Sequence, residues 1–299
     1  MKESTRWMFQ KHGWRADRAI HNYIYFVYYY PYVKTMYHLL KFLSAYLFWF
    51  KPFSPVLRTA LGRYHSKVLS FGDTEKIFTI NEDLSAVSSK NKKIVPFRHA
   101  YKILFQEPEF IAVMDCPCKK ALGAEDRDIN SCLAVGKKLA SFWLDHGEKY
   151  HAKRISQSEA IDLIREFRKR GHLTQAFFKV ATGGSTGVIC NCHPDTCVSL
   201  KATEFARRFN RDLTMNADAG YAVRHDDGKC RACGACIEVC PVDVLELDGK
   251  EWKFDRQRCL GCELCVEHCE NGALTLYRDT EKPVPLDIDI IKNDYSERN

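Results

Sequence analysis

The longest apolar stretch of the chain lies near its start. Between Asn22 and Phe50 aromatic and aliphatic residues dominate, no Asp or Glu occurs, and Lys34, His38 and Lys41 are the basic positions. Those three recur at helical spacing, which keeps a narrow polar face on an α-helix and leaves a wide apolar face opposite. Pro31 lacks the amide that a helix interior needs and should interrupt a helix, and Pro52 should stop one. Residues 57–69, with Arg58, Arg63 and Lys67, read as a second short amphipathic helix. Phe110–Met114 is a compact apolar run that suits a buried strand, and Ser131–Trp143 reads as a helix. Ser156 and Glu159 have capping-box spacing and open a helix to about Lys169, with Ile161, Leu163, Ile164 and Phe167 inside and Gly171 beyond its end. Leu173–Val180 reads as a strand. Val244–Leu247 and Trp252–Phe254 flank Asp248-Gly249, a pair that favours a hairpin turn, and Ala273–Tyr277 supplies a further strand.

Charge divides the chain where the pattern does. Residues 1–70 carry 11 Lys/Arg against 2 Asp/Glu, a balance of +9, whereas residues 216–299 carry 18 acids against 11 bases, a balance of −7. An acidic module of that size repels phosphate, so the net charge of +7 does not describe a nucleic-acid binder. Three placements stay open for the aromatic N-terminal helix. A transmembrane span fits least, because lysines near its middle cost about 2.5–3.5 kcal/mol each. A helix in a membrane interface tolerates them, and Tyr and Trp favour that depth. The third placement packs the stripe on this protein's own domains or on an oligomeric partner.

Cysteine changes the picture most. The chain has 14, none before Cys116, and no leader of basic, apolar and small residues opens it. That usage points away from a disulfide framework and toward metal in a reducing, cytoplasmic compartment. Cys230, Cys233, Cys236 and Cys240 follow C-x2-C-x2-C-x3-C spacing with Pro241 next, and Cys259, Cys262, Cys265 and Cys269 repeat it. Such spacing curls the backbone around a cluster, and the fourth thiolate of each run reaches the other one. A pair of four-cysteine zinc sites is the blander reading.

Six more thiols lie in two groups: Cys116, Cys118 and Cys132, then Cys190, Cys192 and Cys197. Both C-x-C doublets follow apolar runs, so neighbouring strand ends would bring them together, and in extended backbone their side chains share a side. A third metal centre, iron–sulfur or else zinc, is one reading; buried unliganded thiols and a redox-active dithiol are the others. His193 is either an additional ligand or a surface histidine. Gly183–Gly187 lacks the lysine of a phosphate-binding loop and reads as a structural loop.

The terminal repeat resembles the bacterial-type ferredoxin domain with two 4Fe–4S clusters over roughly residues 220–280. That resemblance implies Cys230, Cys233, Cys236 and Cys269 on one cluster, and Cys240, Cys259, Cys262 and Cys265 on the other. Glu270 stands where the family commonly has a second proline. With the C-P-C, lone Cys132 and C-N-C-x4-C elements added, residues 90–280 resemble a family of uncharacterised 4Fe–4S proteins of anaerobic microorganisms. Its members are regarded as electron carriers or subunits of larger oxidoreductase systems. Lys119 stands where that family often has arginine, and His193 where another cysteine is frequent.

The expected protein is α+β: a helical extension over 1–70, a central α/β domain over 71–215 and a dicluster ferredoxin-like domain with a tail over 216–299. Its expected function is electron transfer to a redox protein or a larger oxidoreductase complex, in the cytoplasm or on the cytoplasmic face of a membrane. The alternative is an oxidoreductase whose substrate or thiol-redox site is formed by the central cysteines.

Overall fold

The structure, a computed structural model, describes residues 2–10, 12–13, 16–46, 64–87, 94, 102–179, 186–210, 213–249 and 251–291. Three helices come first: α1 (Glu3–Gln10), α2 (Ala16–Val27) and α3 (Tyr29–Tyr46). Pro31 falls in the first turn of α3, where a missing amide costs nothing, and the break falls at Tyr28, beside the carbonyl that the proline ring would strike. Lys34, His38 and Lys41 are exposed, as their spacing requires. Pro52 and most of the Gly183–Gly187 loop lie outside the described residues.

β1 (Tyr64–Leu69) replaces the C-terminal half of the helix expected over 57–69; the remainder lies outside the described residues. Its residues are paired along their whole length with a later strand, Tyr64 opposite Lys179 and Leu69 opposite Thr174. Long-range pairing overrides the local helical spacing of its charges. α4 (Phe71–Thr79) follows, its N-cap Ser70 accepting from the Asp73 amide at 3.1 Å. β2 (Leu84–Val87) and β3 (Lys102–Phe105) make a separate ribbon.

β4 (Ile111–Asp115), α5 (Pro117–Leu122), α6 (Asp126–Ile129), β5 (Asn130–Val135) and α7 (Lys137–His146) come next. The helix expected over 131–143 is therefore a strand and a helix divided at Gly136, whose φ of 97° and contact with the Gln106 carbonyl suit glycine alone. β6 (Lys153–Ile155), α8 (Gln157–Lys169), β7 (Leu173–Lys179), β8 (Val188–Cys192), α9 (Val198–Arg207) and β9 (Asn216–Ala217) complete the central unit. The capping box of α8 forms as read: Glu159 N donates to Ser156 Oγ at 3.2 Å and Ser156 N to Glu159 Oε2 at 2.7 Å.

Seven strands make one sheet in the order β6-β4-β5-β8-β7-β1-β9. Every neighbouring pair is antiparallel except β1–β9. The central unit is thus α+β by its strand directions, where the sequence led to an α/β expectation. Two strands of the sheet come from segments assigned by sequence to the flanking domains.

Alternation along the strands gives the sheet two apolar faces. Ile111, Val113, Leu133, Ile189 and Phe178 meet α4, α8 and the returning Leu286, Ile288 and Ile291. Met114, Cys132, Ala134, Val188 and Cys190 meet Phe142 and Trp143 of α7 together with Tyr25, Tyr29 and Val33 of the N-terminal helices. One side of the aromatic stripe, with Tyr25, Tyr29 and Val33, therefore packs on the protein's own domain, as in the third placement, while Ile24, Leu39 and Phe42 on the other side stay exposed. Among the described residues no helix is long and apolar enough to cross a membrane.

The last part of the chain folds as β10 (Tyr221–His225), α10 (Ala235–Glu238), β11 (Leu245–Asp248), β12 (Glu251–Phe254), α11 (Leu264–Glu267) and β13 (Leu274–Arg278). β10 pairs with β13, and β11 with β12 through the hairpin that Asp248-Gly249 announced.

Lys67 in β1 is fully buried, and its Nζ makes no hydrogen bond among the described residues. Burial lowers its pKa to about 7, against the attraction of Asp218 and Asp73 and helped by the repulsion of Arg278 and Lys282. Between about pH 7 and 10.5 the unfolded chain keeps a proton that the folded one has lost, so stability rises with pH across that window. Lys67→Met should remove that rise and stabilise the protein at neutral pH by about 1–4 kcal/mol. Melting curves of anaerobically prepared protein at about pH 7 and about pH 9.5 check this; a variant that melts lower at neutral pH and keeps the slope contradicts it.

Candidate functional site

The two terminal cysteine runs loop over the β10–β13 ribbon. Gly234 and Glu263, both left-handed at φ 82° and 71°, cap the one-turn helices α10 and α11, which carry Cys236 and Cys265. Gly261 is left-handed as well, and any Cβ there would strike the Tyr221 carbonyl. Backbone amides point at the sulfurs: Ala232 N to Cys230 Sγ at 3.4 Å, Gly261 N to Cys259 Sγ at 3.3 Å and Ala273 N to Cys269 Sγ at 3.3 Å.

The thiols bound two cavities. Cys230, Cys233, Cys236 and Cys269 line one, and Cys240, Cys259, Cys262 and Cys265 the other. These are the crossed sets that the ferredoxin resemblance implies. The cavities differ in setting: Cys233 is exposed, whereas Cys259, Cys262 and Cys265 are buried. Burial pushes the Cys262 thiol up to about 12 and raises Cys259 and Cys265 too, so a metal that binds there must displace their protons. Four converging thiols with amide donors to sulfur fit a cubane cluster in each cavity.

Residues 223–277 match the family model described as the 4Fe-4S dicluster domain. This segment is a 4Fe–4S dicluster domain. It is 57% identical over 28 residues to ferredoxin-2 of Desulfomicrobium norvegicum, a match that covers 9% of this chain and 48% of that protein. It is 53% identical over 32 residues to ferredoxin-3 of Desulfocurvibacter africanus, covering 10% of this chain and 52% of that one. The chain thus spans about half the length of the curated relatives it matches. Two 4Fe–4S clusters are the cofactors of the dicluster domain, and electron transfer is the chemistry they support.

The six central thiols also meet. Cys116 ends the β4 segment and caps α5, Cys118 lies in α5, and Cys197 caps α9. Cys132 in β5 is paired with Cys190 in β8, and their sulfurs are 3.6 Å apart. Hydrogen bonds from Cys118 and Cys132 hold the Cys116 thiol low, whereas Cys132 is raised by Cys116 and Cys190, and Cys192 by Cys190 and Cys197. The six therefore form one chain of neighbouring sulfurs across two strands and two helix starts. Among the described residues no three His, Cys, Asp or Glu close on one point as ligands of a single ion. That holds for the eight dicluster thiols as well, since a cubane offers its ligands separate irons.

Sequence reasoning missed what surrounds these sulfurs. Lys119 is buried, with Nζ 3.0 Å from His172 Nδ1 and 4.1 Å above the Phe167 ring. Burial first, then the Lys119 charge, lowers His172 to about 3, so a neutral imidazole accepts from the ammonium. Burial lowers the pKa of Lys119 itself, and the neighbouring sulfurs, Cys116 first, oppose that shift, so its positive charge is sustained by the thiols it stands beside. Tyr25 and Tyr29 close the other side; burial and then neighbouring groups, the thiols among them, raise both phenols, which stay neutral. The one legible signal was Lys119 after the C-P-C doublet. His193 turns to other partners: its ring lies tilted at 54° and 5.1 Å from that of His172, and its Nδ1 is 3.6 Å from Asp195.

The dicluster domain and the thiol site share one apolar cluster, which includes Cys262 and Leu264 beside Cys116, Cys132, Cys190, Cys192 and Cys197. Arg168 of α8 fixes that junction. It is buried, donates to the Cys262 carbonyl at 2.6 Å and pairs with Glu267 at 2.8 Å.

On the exposed side of the domain, burial raises Cys236, and the Trp252 indole packed in the same cluster keeps a buried N–H with no hydrogen-bond partner among the described residues, a donor free for cluster sulfur. A donor to sulfur stabilises the more negative, reduced state of a cluster. Trp252→Phe should therefore lower one of the two midpoint potentials and leave the other unchanged. An EPR-monitored redox titration checks this, and two unshifted potentials would exclude Trp252 as a donor.

Proposed function

We propose that the chain is an electron-transfer protein with a third iron–sulfur centre in its middle domain, serving a redox protein or a larger oxidoreductase complex. Cys230, Cys233, Cys236 and Cys269 hold the outer cluster of this reading, and Cys240, Cys259, Cys262 and Cys265 the inner one. The clusters supply one-electron exchange when bound. The chain's own contribution is graded access: it exposes Cys233, buries Cys259 and Cys262, and encloses the central sulfurs under Tyr25 and Tyr29. The observation that carries the reading is the single apolar cluster that contains both Cys262 and the central thiols. A partner docks at the Cys233 side, where the balance of −7 over residues 216–299 favours a basic surface. Lys119 holds a positive charge against a centre that is anionic with thiolate ligands.

Anaerobic preparation should give about twelve iron and about twelve acid-labile sulfide per chain. The Cys132→Ser, Cys190→Ser double variant should fall to about eight of each and keep the dicluster EPR signals. About eight of each in the unaltered chain, or zinc in the balance, removes the third cluster from the reading.

We also propose that the outer face of the N-terminal helices docks on a membrane surface. Ile20, Ile24 and Tyr28 of the α2 end, and Leu39, Phe42 and Tyr46 of α3, stay exposed beside Lys34 and Lys41. Polar substitution of Ile20, Ile24 and Phe42 should release the protein from anionic vesicles in flotation and leave its iron content unchanged. Failure of the cluster-loaded, unaltered chain to float with anionic or neutral vesicles at low salt rules this out.

A further inference from the structure

A cleft of about 670 Å3 opens between the central unit and the dicluster domain. One wall is the C-terminal end of α8, the His193–Asp195 turn inside the second central cysteine motif, and α9; the other is Cys240–Asp243 with Arg258. Its size is that of a small-molecule site. Neither the cysteine runs nor the electron-transfer reading accounts for it.

Its charges are unevenly satisfied. Lys201 is paired with Glu204 at 3.4 Å and Asp195 at 4.0 Å, and Arg170 with Asp128 and Glu166 at 3.0 Å each. Arg207 and Arg258 have no carboxylate within 4.0 Å among the described residues. Arg258 donates to the Val242 carbonyl at 3.1 Å, and Arg207, half-buried, makes no side-chain hydrogen bond among the described residues. Burial and the neighbouring charge of Arg258 both disfavour the Arg207 cation. Arg258 is exposed and Arg207 half-buried, and an oxyanion that accepts from both forks gains charge-assisted hydrogen bonds and offsets their mutual repulsion. The cleft is no general sink for anions, because Glu238 and Asp243 line it as well and repel a ligand of high negative charge density.

We infer that this cleft binds a small organic oxyanion, a carboxylate or a phosphate ester, gripped by Arg207 and Arg258. The bound molecule lies against Cys240 and Pro241, next to the cavity that Cys240 shares with Cys259, Cys262 and Cys265. This placement rests on the proposed inner cluster; the anion grip itself does not.

The full chain, loaded with clusters and assayed for iron first, is titrated calorimetrically with succinate and with glycerol phosphate at constant ionic strength. One or both should bind saturably, and which binds more tightly identifies the acid class. Arg207→Gln and Arg258→Gln should each weaken the preferred anion at least about tenfold. Arg207→Lys, which keeps the charge and loses the fork, should weaken it less than Arg207→Gln does. Arg208→Gln, at an exposed neighbour paired with Glu204, should leave binding unchanged. Saturation with the preferred anion should also shift the midpoint potential of one cluster. No saturable binding of either probe at about 10 mM overturns the inference, as does binding that Arg207→Gln and Arg208→Gln reduce equally. A low iron count with intact anion binding tells against the cluster reading and leaves the grip standing. Binding without a potential shift overturns the placement beside Cys240.

Discussion

The pairing of β5 with β8 sets Cys132 opposite Cys190, and most of the molecule is arranged around that contact. Antiparallel register decides which side chains share a face, and a slip of one residue would send Cys190 and Cys192 to the opposite side of the sheet. In the observed register the sulfurs of Cys132, Cys190 and Cys192 emerge beside Cys116 and Cys197, which cap the helices leaving β4 and following β8. The same alternation sends Leu133 and Ile189 into the second core against α4 and α8. Aliphatic burial on that face holds the polar, reactive face in place.

Fixing the thiols leaves their environment to be built by distant parts of the chain. α3 crosses α5 and α9, the two helices that begin at central cysteines, and Tyr25 and Tyr29 fill the remaining space. Tyr32 and Tyr64 link these helices to β1 through their hydroxyls, 3.0 Å apart. Aromatic side chains with few rotatable bonds exclude water at low entropic cost. A dry site strengthens the field of Lys119 on nearby sulfur, and that field favours charged over neutral thiol. The amino-terminal helices thus act chemically without contributing a ligand.

The dicluster domain is attached by polar contacts at an apolar junction. Arg168 is inaccessible to solvent, and its hydrogen bonds to the Cys262 carbonyl and to Glu267 compensate the burial of its charge. Phe71 N donates to Glu263 at 2.8 Å and Ala219 N to the Leu260 carbonyl at 2.7 Å, so the first half of the inner cysteine run is anchored to the chain segments at either edge of the central unit. The outer run lacks such anchors among the described residues and keeps Cys233 at the surface. One repeat, used twice, serves two environments because one copy is hydrogen-bonded to the central unit, whereas the other meets it through Val239 and Val242 alone among its apolar side chains.

The dicluster domain was legible in residue order alone. Cysteine spacing is a local property, the hairpin turn at Asp248-Gly249 is another, and the capping box at Ser156 and Glu159 a third; each acts over a few residues and leaves its mark in order. Residue order also suggested that the two C-x-C doublets come together, since both close apolar runs, and left the place of Cys132 and Cys197 open. What it misassigned were Tyr64–Leu69 and Ser131–Val135, strands whose partners lie far along the chain and whose local pattern imitates a helix. It took the folded chain to show that the aromatic stripe covers sulfur, that Lys119 faces His172 and that Arg207 and Arg258 line one cleft. These are relations between surfaces brought together by register and packing, and a linear pattern carries no term for them.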